Sequence, residues 1–264
     1  MIKKNNDVSP LIPEERRSSI LQELNEYGVL HIDVTSKRMG ISQVTLRRDL
    51  ASLESEGLCL RKRGGAVKTF ASVSTELPYD IKRNQRVEEK KRIGKAASEY
   101  IVDGSTIILD SGSTTYALSL FLRTKSRLTV VTNDLQIAVK LANFSNIQTI
   151  CTGGLVRSNV FSLQGNGVVD FIRGLKVDLT FLGADAIETD LTISNVTVEE
   201  VAIKKAMLKS AKKTFLLADS SKFNRSGFMK VCNLSEVDSV ITDSALDKTH
   251  ISLLKEANII FQLT

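Results

Sequence analysis

Residues 43–66, QVTLRRDLASLESEGLCLRKRGGA, set two arginines side by side on a helical stretch and end in Arg-Lys-Arg-Gly-Gly. Leu46, Leu50 and Leu53 step by four and three, the spacing of one buried helix face. That face leaves Gln43, Val44, Arg47 and Arg48 on a broad exposed arc near the helix start, with Ser42 as its cap. After Gly57, LCLRK and AVKTF flank a Gly-Gly turn and read as a small two-stranded wing. Upstream, Ile20, Leu21 and Leu24 recur at helical spacing behind PEERRSS, where Pro13 suits a helix start, and Gly28 ends that helix. HIDVTSKRMG is a second, short helix, with Asp33 as its cap and Gly40 as its stop.

The charge of the chain lies on the same side of the sequence. Of a net +6, residues 1–95 hold 19 Lys and Arg against 13 Asp and Glu, while residues 96–264 carry 17 of each. A basic first third on a neutral remainder implies that one part meets a polyanion and the other does not. A charge run alone is as often a solvated face. Three short helices, a tight Gly-Ile-Ser turn and a basic wing together favour a helix-turn-helix, whose second helix enters the major groove of DNA. There Arg bonds guanine and Gln bonds adenine in bidentate fashion, while hydroxyls reach phosphate. The expected DNA-binding residues are therefore Ser42, Gln43, Val44, Thr45, Arg47 and Arg48 on the helix, with Arg61, Lys62 and Arg63 on the wing. The segment lacks stacking aromatics, which disfavours RNA as the partner.

With 264 residues the chain is long enough for two parts with a sizeable core. The division expected is a DNA-binding domain over 1–70, a charged linker and lead-in helix over 71–95, and an α/β domain over 96–264. In that last part the apolar, β-branched runs TIILD, LTVVT, IQTIC, LTFLG, TFLLA, SVIT and NIIF alternate with helical segments. Runs of this kind are strands buried on both faces, hence a mostly parallel sheet. No apolar run reaches the ~20 residues of a membrane helix, and the basic N-terminus leads into no apolar stretch. Cys59, Cys151 and Cys232 are odd in number and widely spaced, which fits reduced thiols in a cytoplasmic protein and gives no metal-ligand pattern. No cofactor and no metal are expected.

The apolar runs end in polar clusters: DSGSTT at 110–115, TND at 132–134, TGG at 152–154, GAD at 183–185 and ADSSK at 218–222. Open α/β sheets bind ligands outside the carboxyl ends of their strands, so converging tips form one polar pocket. Gly112 lets backbone approach a ligand, and Ser113, Thr114 and Thr115 bring hydroxyls and N–H groups to the start of a helix, an arrangement apt for phosphate. Lys204 and Lys222 add positive charge. Singly, each cluster is more often just a helix cap.

On the motifs GIS, TLRRDLASLESEGL and RGGA, residues 14–68 resemble the winged helix-turn-helix of the DeoR family of bacterial transcription regulators. Residues from about 75 to 262 are similar to the effector domain of that family, itself like ribose-5-phosphate isomerase. The resemblance implies an α/β sensor of the sugar-phosphate isomerase type, a repressor of a carbohydrate operon, operator DNA and a phosphorylated sugar as partners, and a homo-oligomer. It implies that Asp110, Gly112, Ser113, Thr114 and Thr115 take the phosphate. Asn133, Asp134, Gly153, Gly154, Arg157, Asp185, Glu200, Lys204, Asp219, Ser220 and Lys222 then line or support the pocket. Four residues depart from the family pattern: Thr35 for Leu, implying a looser second helix, Arg63 for His in the wing, and Ala186 and Thr192 for Gly. The alternative is a sugar-phosphate isomerase with an accessory DNA-binding domain, for which Asp185 or Glu200 with Lys204 would serve in proton transfer. Against it, neither histidine lies near the tips and the basic winged helix goes unexplained.

Overall fold

The computed structural model describes residues 12–68 and 78–264, and its contacts divide the chain into two units, Met1–Gln85 and Arg86–Thr264. The readings made of residues 1–10 and of the linker residues 71–77 lie outside the described residues.

In the first unit α1 (Pro13–Tyr27), α2 (Ile32–Arg38) and α3 (Gln43–Ser55) enclose Ile20, Leu24, Leu46, Leu50 and Leu53, all fully buried. Pro13 opens α1, and Gly28, left-handed at φ 76°, closes it by returning its N–H to the carbonyl of Leu24. The cap of α2 is His31 rather than Asp33, because the residues before it are a strand, β1 (Val29–His31). It pairs with β3 (Gly65–Lys68), which pairs in turn with β2 (Cys59–Lys62), so the wing has three strands in the order β1-β3-β2. The two glycines of the turn serve different needs. Gly64 takes φ 87°, whereas a Cβ at Gly65 would stand 1.9 Å from the carbonyl oxygen of Leu30. Thr35 is not loosely packed: it is fully buried and donates to Glu23 Oε1 at 2.8 Å, and Arg38 pairs with the other carboxylate oxygen of Glu23. A hydrogen bond takes the place of an apolar contact there. The lower part of the expected linker is helical. α4 (Tyr79–Asn84) packs on α1 and adds Ile81 to its core, while α5 (Val87–Glu99) opens the second unit.

In the second unit the chain continues through β4 (Thr106–Leu109), α6 (Ser113–Ser119), β5 (Leu128–Thr132), α7 (Leu135–Leu141) and β6 (Ile147–Cys151). A hairpin of β7 (Leu155–Val156) and β8 (Leu163–Gln164) leads to α8 (Asn166–Arg173) and β9 (Val177–Gly183). Then come β10 (Ala186–Ile187), β11 (Thr192–Asn195), α9 (Val198–Ser210), β12 (Ala211–Leu217), β13 (Met229–Asn233), β14 (Ser239–Thr242), α10 (Lys248–Glu256) and β15 (Phe261–Leu263). All seven apolar runs form one sheet in the order β15-β14-β12-β9-β4-β5-β6, each neighbouring pair parallel. Successive residues face opposite layers: Ile107 and Leu109 pack with α5, α6 and α7, and Ile108 packs with α8, α9 and α10. The last strand begins at Phe261, later than the NIIF run places it. The short antiparallel sheet β10-β11-β13 and the β7-β8 hairpin carry no apolar run and were not expected.

The connectivity locates a crevice. From β4 the chain moves outward to β5 and β6, then returns to β9 on the other side of β4 and continues to β12, β14 and β15. The winding reverses between β4 and β9, and such a switch point opens a cleft at the carboxyl ends of the strands.

Candidate functional site

The first unit carries two Arg-Arg pairs with opposite fates. In α1, Arg16 holds buried Asp49 through Nε at 2.8 Å and a second bond at 3.1 Å, and Arg17 donates to Ser52 at 3.2 Å. Both clamp α1 to α3. In α3, Arg47 and Arg48 face outward together with Gln43 and Val44, the last 74% exposed. Arg47 makes one bond on the helix surface, to Gln43 Oε1 at 3.2 Å. Ser42 caps α3, accepting from the N–H of Thr45 at 3.0 Å, with the two hydroxyls 2.9 Å apart. On the wing Lys62 and Arg63 are exposed, but Arg61 is engaged: its Nε meets Glu54 Oε2 at 2.6 Å and its N–H meets Oε1 at 2.8 Å. These bonds hold the Glu54 carboxyl below its ordinary range. Arg61 thus fastens the wing to α3, and the outward cations beside the wing turn are Lys62 and Arg63.

In the second unit the switch point holds a buried ion pair. Asp110, just past β4, accepts the N–H of Gly183, the last residue of β9, at 2.9 Å. Lys204 of α9 reaches between them, donating to Asp110 Oδ2 and, at 3.0 Å, to the Gly183 carbonyl. Asp110 and Lys204 are 2% and 3% exposed. Burial opposes the ammonium charge, yet Asp110, Glu200 and Asp185 raise the pKa of Lys204 above the ordinary lysine value.

Beside it, Asp134 organises the 110–115 loop. Fully buried, it accepts from Ser111 Oγ at 3.0 Å and Gly112 N at 3.2 Å with one oxygen. Its other oxygen caps α7 through Gln136 N and Ile137 N at 2.8 and 2.9 Å. Burial pushes its carboxyl up to about 6, against these four bonds, which favour the anion. Asp134 therefore supports the loop. Ser113 and Thr114 open α6, which has no side-chain cap of its own. Thr115 is fully buried and spends its hydroxyl on the Gly112 carbonyl at 2.8 Å, so it shapes the turn and does not present a hydroxyl.

A third cluster joins the hairpin to α9. Glu200 accepts from Arg157 at 2.9 Å and Ser162 at 3.3 Å through Oε1, and from Asn195 at 2.8 Å through Oε2. The Asn133 side-chain amide donates to the Leu163 carbonyl at 3.4 Å, and its main-chain carbonyl accepts the Leu163 N–H at 2.7 Å. Asp185 accepts from Val196 N at 3.4 Å. Gly153 and Gly154 follow β6, and a Cβ at Gly154 would lie 2.6 Å from Val168 Cγ2 of α8. Past β12, buried Asp219 receives Ser221. Burial favours its neutral form, but Lys222 and Lys90 outweigh it and lower its pKa. Ser220 is gripped by Asp243, at 2.6 Å to its N–H and 3.0 Å to its hydroxyl.

Sequence reasoning missed Ser111, Ser162, Asn195 and Asp243. Asp243 ends the SVIT run as Asp110 ends TIIL, so the same signal pointed to it. Asn195 sits on a strand of four residues, where no periodicity marks it. Among the described residues no His, Cys, Asp and Glu cluster suits a metal ion, and no helix is long and apolar enough to cross a membrane.

An outward arginine pair on the second helix of a helix-turn-helix, joined to a parallel sheet with polar groups gathered at its switch point, defines a DNA-binding transcriptional regulator with a sensor domain. The chain belongs to the DeoR family: the DeoR-like helix-turn-helix domain matches residues 16–69, and the DeoR C terminal sensor domain matches residues 85–244. It is 30% identical to the glycerol-3-phosphate regulon repressor of Escherichia coli (strain K12), over 94% of this chain and 98% of that protein. It is 32% identical to the HTH-type transcriptional regulator GlpR of Haloferax volcanii, over 90% of this chain and 92% of that protein. Ribose 5-phosphate isomerase A from Methanocaldococcus jannaschii superposes with a TM-score of 0.40 at 19% identity, covering 53% of this chain and 55% of that one.

Proposed function

We propose that this protein is a cytoplasmic repressor of genes for the use of a carbohydrate, that it acts on operator DNA as a dimer or tetramer, and that a phosphorylated sugar controls it. The DNA half rests on the outward side chains of α3: Arg47, Arg48 and Gln43 read base edges, Val44 meets a thymine methyl, and Ser42 and Thr45 meet phosphate. Lys62 and Arg63 add backbone contacts from the wing, and Arg61 holds the wing in place. A palindromic operator needs at least two copies of such a reader.

The observation that carries the effector half is the Asp134 tether. It fixes Ser111 and Gly112 so that the uncapped first turn of α6, with Ser113 and Thr114, stands beside the buried Asp110–Lys204 pair at the switch point. We assign the phosphate to Ser113, Thr114 and the N–H groups of that turn, and the remaining groups of the effector to Arg157, Asp185, Glu200, Ser220 and Lys222. Asp110, Asp134, Asp219 and Lys204 preorganise these loops, as do Thr115, Gly153 and Gly154. The sugar is read as bound and released without turnover. Both oxygens of Glu200 accept protein donors and Lys204 is occupied by Asp110 and Gly183, so neither is poised to move a substrate proton.

Thermal unfolding tests the effector half. At a hundred times its Kd a ligand adds about 2.7 kcal/mol, or a rise of roughly 5–10 °C for a domain of this size. A panel of triose to hexose phosphates is expected to contain at least one such compound, while the same free sugars leave the transition in place. Equal shifts by free sugars, or none by any phosphorylated sugar, would refute the assignment.

A further inference from the structure

Three side-chain oxygens around Glu200 are buried and receive no hydrogen bond within the protein: Asn133 Oδ1, Asn195 Oδ1 and Thr197 Oγ1. Asn195 and Asn133 lie along one run of polar contacts through Glu200 and the Ser162–Leu163 stretch, and Thr197 stands near it in sequence. Asn195 bonds Glu200, Glu200 bonds Ser162, the next residue Leu163 bonds Asn133, and Thr197 is the residue before α9, one turn from Glu200. The amide orientations are fixed by their partners. Asn195 faces a carboxylate and Asn133 faces a carbonyl, both of which only accept, so each amide must offer its NH2 there and turn its oxygen elsewhere. Asn133 and Asn195 are each 1% exposed. Thr197 is the residue where a side-chain cap of α9 belongs, yet its hydroxyl caps nothing. A buried acceptor without a donor is costly.

We infer that Asn133, Asn195 and Thr197 read the hydroxyl groups of the effector, which selects a phosphorylated compound with several free hydroxyls over its deoxy or simpler analogues. This rests on the effector site proposed above. An acceptor cluster calls for O–H donors on the ligand, and the Glu200 carboxylate beside it is already paired with Arg157. The phosphate then supplies attraction at the α6 turn, and the hydroxyls supply identity at the α9 turn. A site whose buried groups must be met by ligand hydroxyls rejects analogues that lack them far better than an apolar wall does.

Thr197→Val gives the cleanest test, because it keeps the shape and removes a hydroxyl that bonds nothing in the protein. The full-length variant is compared with the wild type by calorimetric titration. The probes are ribose 5-phosphate, 2-deoxyribose 5-phosphate, fructose 6-phosphate, glycerol 3-phosphate and inorganic phosphate. We expect a melting temperature equal to or above that of the wild type, and an affinity for the tightest polyhydroxylated phosphate weakened roughly 10-fold. Inorganic phosphate should bind both proteins within twofold, and Asn195→Ala should show the same split more strongly. Unchanged affinity for the polyhydroxylated phosphate in both variants would overturn the inference alone. Parallel losses for inorganic phosphate would assign the residues a merely structural part and overturn it too. Failure of the wild type to bind any of the organic phosphates would overturn the effector site itself, and this inference with it.

Discussion

Replacing Lys204 by methionine would leave Asp110 charged, 2% exposed and stripped of its cation. Two interactions go: the bond to Asp110 Oδ2 and the 3.0 Å bond to the Gly183 carbonyl, while Asp110 keeps only the N–H of Gly183 at 2.9 Å. Removing one member of a buried pair costs about 3–5 kcal/mol, most of it the penalty of an unmatched buried charge. In a domain of this size that is a fall in Tm of roughly 6–20 °C. The same reasoning makes the damage repairable. Asp110→Asn in the Lys204→Met background removes the stranded charge, and the amide can still accept from Gly183, so the double variant should regain at least about 2 kcal/mol over Lys204→Met. The pH dependence of the wild type has a definite sign. Because the pKa of Lys204 is raised in the folded protein, the stability it contributes is fully present below the ordinary lysine value. It is lost only as pH rises through the raised folded value. Urea unfolding of the wild type, Lys204→Met, Asp110→Asn and the double variant, followed by far-ultraviolet circular dichroism, measures the cycle. A loss under about 1 kcal/mol for Lys204→Met, or simple additivity in the double variant, would refute the view that this pair locks β4 to β9.

Other expectations follow from the geometry. Arg47→Ala should cost about 1–3 kcal/mol at the operator and less on random DNA, whereas equal losses on both would make Arg47 a phosphate contact. Lys62→Ala should weaken all DNA alike and lower the salt slope by about one unit, read from titrations at several salt concentrations. Gly65→Ala, with its Cβ 1.9 Å from the Leu30 oxygen, should separate β1 from β3 and weaken DNA binding, and an unaltered variant would contradict the three-stranded wing. The folded pKa of Asp134 is raised to about 6, so its contribution to stability is present below the ordinary carboxylate range and lost as pH rises through 6. The wild type should therefore lose ground relative to Asp134→Asn between pH 4 and 7 by on the order of 1–3 kcal/mol, and parallel urea midpoints would reject this.

Much of the fold was legible because burial leaves a periodic trace. Leu46, Leu50 and Leu53 announced α3, and seven β-branched runs announced seven parallel strands. β1, β10, β11 and the β7-β8 hairpin carry no apolar run and leave no such trace, and β1 and β11 in addition take partners far away in sequence, β3 and β13. The candidate site was legible as a set of strand tips, since Asp110, Asp134, Asp185 and Asp219 each follow an apolar run. Which of them present groups and which brace others was not legible. Thr115 and Ser113 are alike as letters, yet one bonds its own turn. Arg61 and Lys62 are adjacent cations, yet Glu54 engages only the first. Those distinctions come from tertiary partners, which spacing along the chain does not encode.

Control of DNA binding by a phosphorylated sugar is measured by fluorescence anisotropy of a labelled fragment from upstream of the controlled genes. The wild-type protein is bound to the fragment at physiological salt, and triose to hexose phosphates are titrated in, with the free sugars as references. At least one phosphorylated sugar is expected to lower operator affinity 10-fold or more and to be recovered unchanged, while free sugars have no effect. An affinity that stays within twofold for every phosphorylated sugar, or steady conversion of the active one to its isomer, would show that this protein is not a repressor released by a phosphorylated sugar.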